Sequence, residues 1–513
     1  MKTNTVENIP STTFEAERTH TSVAEQVLKG VNEIVQRDIQ AVLTAEKNIK
    51  ASNDLNFQHS FGRDTAISAD KLLLYDQEVV HQAILLLFSN QGVKNDEITG
   101  EKPGKIFHEY KERGDDPEQQ VVFDNLQSST GIGDQQKIIS YTSVDATPEC
   151  IHLLARYVEH YGRDVLHEQV NRQGEMVAIE TCFEDAVQWV RDIIARSDIG
   201  LVGTRRTNPR SVTVADLLDG GTSFMHADGR TLVNHRGEVN TINFQSLGYQ
   251  ALMEAATITA NDKERRELIG AAEDLRQKTI EYFWMPEKNR VAMAVDRDEQ
   301  GQPRRLETDT ILPAVALRTG IFDDRPDIVE AILKGLYTPD MMTCVGPRTQ
   351  TAAMDVGYTR YQEPPWPVLV GRVVEGAMRY GEDTIAIDLI ERMLMGVYTT
   401  GKSEEFHQVT KDNELGLHTD KLVPGTTVIT ATNKPEAPQA WTAATLWGMT
   451  HEALPLLAER RHLQENKTQV GETLDIWINK KVKTVPYVLH QADAWKIEEA
   501  IMAEREGFEP SIP

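Results

Sequence analysis

Apolar residues recur at three- and four-residue spacing in one segment after another of this chain, and long polar stretches separate those segments. No other feature restricts the fold as much, because each segment is an amphipathic helix that must bury its apolar stripe against neighbours. The spacing predicts helices over 24–43, 66–88, 148–162, 182–197, 244–258 and 263–284, and again over 309–321, 326–336, 366–381, 382–398, 437–457 and 486–506. Several open after Pro or a capping residue and several close at Gly, as at Gly162 and Gly381. The polar loops at 92–140, 200–241, 338–363 and 400–436 are longer than compact domains usually tolerate unless the loops carry function. Strand signals are confined to a hairpin over 290–308 and an alternating β-branched run at 422–432.

Twelve helices joined by long, irregular loops fit a double ring with the loops gathered at one rim, an all-α fold with minor β-hairpin decorations. A solenoid would have short turns and a regular repeat length, which this chain lacks. No Pro- or Ser-rich linker divides it, so one domain is expected over 21–460, with a disordered segment over 1–20 and a helical extension and tail over 461–513. About 40% of the 513 residues are apolar, enough for a substantial core. The charge of −25, from 54 Lys and Arg against 79 Asp and Glu, disfavours nucleic acid and anionic membrane surfaces as partners. Cys150, Cys182 and Cys344 are too scattered for a disulfide framework or a zinc site, and read as reduced core residues. With no apolar leader and no run of 18 apolar residues, a cytoplasmic location is expected.

The strongest local signal is LNFQHSFGRDTAIS at 55–68. Asp64 sits where a helix begins and could simply cap it. Arg63 and Asp64 together, behind an aromatic residue and a glycine, also form a donor and acceptor pair able to grip vicinal sugar hydroxyls. The segment resembles the first rim loop of glucoamylase-like and amylo-α-1,6-glucosidase-like enzymes of the six-hairpin glycosidase superfamily. GKIFHE at 104–109, YTSVDATPECI at 141–151, MHADG at 225–229, Trp366-Pro367 and PQAWTAATLWG at 438–448 continue the match in order, so it covers roughly residues 55–455. The resemblance implies an (α/α)6 toroid, an oligosaccharide or other glycoside as substrate, and glycosidic cleavage with inversion. The activity it points to is that of an exo-acting α-glucosidase on glycogen-like chains.

Inversion requires one protonated carboxyl on the leaving oxygen and one ionised carboxylate to activate water. In the resembling enzymes the acid is an Asp shortly before H-A-D-G, and in DLLDGGTSFMHADG that position is Asp219. The stretch departs from the pattern: Thr222 stands where a second Asp is usual, and Leu217 where an aromatic is. Asp216 and Asp228 therefore stay as other candidates, with Asp228 read as a turn residue in ADG. The base is a Glu in a P-E-x-F context; here KSEEFHQV offers Glu404, with Glu405 adjacent and a solvated acidic pair as the plain reading.

His108, Glu109 and Asp145 are expected around the substrate or bracing its loops, with Asp145 equally suited to capping the helix near Pro148. Trp366 is expected as a platform under a sugar face and Trp441 as core packing. No dinucleotide fingerprint, phosphate loop or metal triad appears, so no cofactor and no metal are expected. Hydrolysis of another glycoside, such as a mannosyl or glucosyl conjugate or sucrose, is open on the same fold. So is a non-catalytic sugar-binding relative. A phosphate-accepting enzyme is poorly supported, since only Lys402 and Lys411 flank the base position, and a helical protein scaffold would not need the loop motifs.

Overall fold

The computed structural model describes residues 23–464, except 207, 210, 211, 221, 355–363, 410–414 and 416–434. Its helices are α1 (Val23–Val42), α2 (Gly62–Lys71), α3 (Gln77–Ser89), α4 (Pro117–Thr130), α5 (Ala146–Tyr161), α6 (Ile179–Arg196) and α7 (Ile242–Ile258). They continue with α8 (Asp262–Phe283), α9 (Leu312–Ala316), α10 (Pro326–Leu336), α11 (Pro367–Arg379), α12 (Asp383–Thr400), α13 (Ala440–Gly448) and α14 (Leu454–Gln464). The segments expected at 1–20, 422–432 and 486–506 lie outside the described residues.

Two kinds of helix follow from two kinds of sequence. Helices α2, α5, α7, α9, α11 and α13 are buried along most of their length, and each packs on the next: α2 on α5, α5 on α7, α7 on α9, α9 on α11, α11 on α13, and α13 back on α2. That closes an inner ring. Small residues permit the close approach; a Cβ on Gly371 of α11 would lie 2.2 Å from Thr445 Cγ2 of α13. Helices α1, α3, α6, α8, α10 and α12 form the outer layer, of which α12 is buried without a break from Asp388 to Leu394. In α8 the buried residues are Leu268, Ala272, Leu275, Thr279 and Phe283, a single stripe at three- and four-residue spacing. The result is the (α/α)6 toroid, an all-α fold with small β additions. Among the described residues no helix is long and apolar enough to cross a membrane.

The expected 66–88 helix is two helices. The chain turns over Leu72–Tyr75, and Asp76 caps α3 by accepting from Glu78 N at 3.0 Å. The apolar run there, with Leu74 54% exposed, masked the corner between inner and outer layers. The 309–321 segment is also shorter than expected: α9 tightens into a 3-10 turn over Leu317–Thr319. The loop at 92–140 holds α4 and contributes two strands to an antiparallel sheet, in which Glu109–Glu112 lies between Ser60–Phe61 and Lys137–Ser140. The hairpin expected over 290–308 forms as Ala294–Arg297 against Pro303–Leu306, with Asn240–Thr241 as a third strand.

This topology brings the starts of several inner helices to one rim. Gly62, Asp145, Asn243, Trp366 and Gln439 all lie at or beside such a start. Helix N-termini carry partial positive charge, so the rim favours anionic side chains.

Candidate active site

Arg63, in the first turn of α2, is the hub of the rim. Gly62 places it: a Cβ there would lie 2.1 Å from Phe107 O, and Gly62 N donates to His108 O at 3.0 Å. The guanidinium is buried. Its Nε donates to Asp64 Oδ1 at 3.0 Å and one NH donates to Asp216 O at 3.0 Å. The same NH lies 3.5 Å from Asp145 Oδ2 and 3.7 Å from Asp219 Oδ2, and its carbon sits 5.0 Å from the Trp441 ring. One cation thus faces four acidic residues from three segments.

Those acids differ in accessibility. The side chains of Asp145 and Asp64 are 0% and 7% exposed, whereas that of Asp219 is 16% exposed. Asp216 is fully buried and accepts from Leu217 N and from Asn243 Nδ2 of α7. Burial raises the Asp64 carboxyl, against the opposing pull of Arg63. Burial likewise raises Asp216. Asp145 is pushed up to about 7 by burial, with Asp216, Glu149 and Asp219 adding to it and Arg63 opposing. Of the cluster, Asp219 is the acid best able to touch a ligand. Asp228 is elsewhere: it is exposed and ties a turn by accepting from Arg230 N and Thr231 N, which hold it down to about 2 with the Thr231 hydroxyl.

A small cavity of about 60 Å³ opens against this cluster. Arg63, Asp64, Leu217 and Asp219 line one part; Trp366, Glu405, Glu436, Gln439 and Trp441 line another; Ala51, Phe57 and Phe61 complete it. Trp366 immediately precedes α11 and lies 5.8 Å from the Phe406 ring, nearly parallel to it, and 5.7 Å edge-on from Trp441. Trp441, read from sequence as packing alone, shares the cavity wall with Trp366. Glu405 N donates to Glu436 O at 2.9 Å, so the two acidic segments are tied together. Glu404 does not line this cavity; its Oε2 lies 3.8 Å from His407 Nδ1, and its side chain is 11% exposed.

His108 is buried beside Phe61, with ring centroids 5.7 Å apart, and burial lowers its pKa although Asp219 opposes this. Glu109 turns away to His59, with Oε1 2.7 Å from Nε2, and braces the strand that carries it. Sequence reading did not single out Glu436, and it expected Trp441 in core packing rather than on a cavity wall. The signal was present in PEAPQAW, which immediately precedes and enters an inner helix. Among the described residues no group of three His, Cys, Asp or Glu is set to hold a metal.

No family model matches the chain, and no curated protein matches it. Solved structures do. An uncharacterized conserved protein from Thermus thermophilus aligns with 83% of this chain and 100% of its own, with a TM-score of 0.55 and 16% identity. GH63 mannosylglycerate hydrolase from the same organism, in complex with glucose, aligns over the same shares with a TM-score of 0.54 and 13% identity. The GH78 family rhamnosidase of Bacillus sp. GL1 aligns with 84% of this chain and 35% of its own, with a TM-score of 0.53 and 14% identity. The closed inner ring, the loops at its rim and these likenesses together give this chain the (α/α)6 fold of the six-hairpin glycosidases.

Proposed function

We propose that this chain is an inverting, exo-acting glycoside hydrolase that holds a terminal sugar at the rim of the inner ring. The observation that carries this reading is the shared cavity of Asp219 and Glu405, carboxylates from distant loops that meet beside a buried arginine and two tryptophans. Two carboxyls flanking one opening at the rim are what inversion needs. Asp219 protonates the leaving oxygen. It is the accessible acid of its cluster, and the sealed Asp145 and Asp216 are positioning residues for Arg63. The base is supplied by the Glu404–Glu405 pair, of which sequence pattern favours Glu404 and cavity lining favours Glu405. Arg63 and Asp64 bind sugar hydroxyls, Trp366 and Trp441 offer apolar faces, and His108 borders the site.

The substrate is an α-glucoside of an oligosaccharide or glycogen-like chain. The order of the rim motifs supports this. A second reading, hydrolysis of a mannosyl or other small glycosyl conjugate, is supported by the alignment with the entire length of mannosylglycerate hydrolase. Sugar release from α-glucosides, α-mannosides and α-rhamnosides tests both. Asp219→Asn is expected to reduce turnover by about 10³-fold, and one of Glu404→Gln and Glu405→Gln to do the same, with the other keeping most activity. Retained turnover in Asp219→Asn, or in both glutamate variants, contradicts the reading. Sugar binding without turnover on any substrate would make the chain a carbohydrate-binding relative instead.

A further inference from the structure

A second cavity, of about 500 Å³, lies on the same rim but outside the central one. Its walls come from the loop at 97–105, from residues 141–144, from the C-terminal half of α6, from residues 203–206, 208, 212, 213 and 215, and from Glu238. The partition between the two cavities is thin. Val144 N donates to Ala215 O at 3.5 Å, and both residues line the outer cavity. Their neighbours in the chain serve the inner site, Asp145 beside Arg63 and Leu217 on the cavity wall.

Charge in the outer cavity runs against that of the chain. Lys102, Lys105, Arg196, Arg205 and Arg206 line it against two carboxylates, Glu97 and Glu238, although the whole protein carries −25. Glu238 is already engaged, accepting from Ser197 Oγ at 2.6 Å and from Asn240 Nδ2 at 2.9 Å. Lys105 is the decisive group. It is 7% exposed and forms no ion pair among the described residues, although the charge of Asp145 acts on it from farther away. Its acceptor is Gly100 O at 3.5 Å, and the Trp189 ring lies 5.5 Å away. A buried ammonium without a counter-charge is costly. Burial, with repulsion from Lys102 and Arg196, pulls it down to about 7. An anion between Lys102, Lys105 and Arg196 would supply the missing partner, and Trp189 with Tyr141 gives its carbon body an aromatic wall.

We propose that this outer cavity binds a small organic anion bearing carboxylate or phosphate groups, at a site separate from the sugar pocket. The site does not depend on the glycosidase reading. Its size suits a molecule up to about that of a sugar phosphate.

Calorimetric titration of the full chain with citrate, inorganic phosphate and glucose 6-phosphate, and with glycerol as an uncharged control, tests this. At least one anion is expected to bind one-to-one while glycerol does not. Citrate alone would identify a carboxylate site, and the two phosphates a phosphate site. Lys105→Met and Arg196→Gln are each expected to weaken binding about tenfold or more, and Asp219→Asn to leave it unchanged. Without anion, Lys105→Met should melt at or above the wild-type temperature, since it removes no ion pair. Should it fail to fold, Arg196→Gln still decides. Binding of none of the three anions, affinity unchanged by both cation substitutions, or binding lost in Asp219→Asn would each overturn the proposal.

Discussion

Asp145 carries the sharpest residue-scale consequence. Its folded pKa, about 7, lies above that of an unfolded aspartate, so its neutral form is the one the fold favours. The stability it contributes is full below the unfolded pKa and is lost as pH rises through about 7. Asp145→Asn, which mimics the neutral form, should therefore gain stability relative to wild type between pH 5 and pH 8. Paired thermal melts across that range check this; a difference independent of pH would contradict it. Arg63 and Asp64 were legible in sequence because FGRD is contiguous and its glycine has a steric reason, the approach of Phe107 O. Glu436 and Trp441 were not, because they join Arg63 only when the ring closes across nearly 400 residues of chain. The choice between Glu404 and Glu405 was equally hidden: adjacent acids in an extended segment differ by which way they turn, which spacing does not encode.

At the scale of elements, a buried ion cluster ties the inner ring together below the rim. Glu149 of α5 bonds Arg318, in the 3-10 turn after α9, at 3.2 Å and pairs with Arg372 of α11 at 2.7 Å. The two arginines outweigh burial and hold the carboxyl down to about 2. Glu149→Gln leaves two buried cations without their counter-charge and is expected to cost about 3–5 kcal/mol. Chemical denaturation at neutral pH measures it, and a loss below about 1 kcal/mol would contradict the assignment. The contribution of this group should be present above the ordinary glutamate pKa and fade as pH falls toward 2. Helix existence was readable from periodicity throughout this ring. What periodicity could not show was the corner at Leu72–Tyr75, where apolar residues continue through a reversal, or α4, whose buried side is little more than Phe123.

For the whole molecule, the fold was legible in outline because a succession of apolar stripes has few ways to be satisfied at once, and the closed double ring satisfies those within the described residues. The contact of α13 with α2 completes that closure and carries Trp441 against Arg63. Closure therefore builds the site, and residues from the two ends of the ring cannot meet without it. The most direct measurement is proton NMR of the sugar released in the first minutes of hydrolysis of an α-linked substrate. One carboxyl protonating the leaving oxygen while the other activates water on the opposite face of the sugar gives the β-anomer first, with the α-anomer appearing only by slow mutarotation. An α-anomer formed first, or no sugar released from any α-linked glycoside, would contradict an inverting hydrolase.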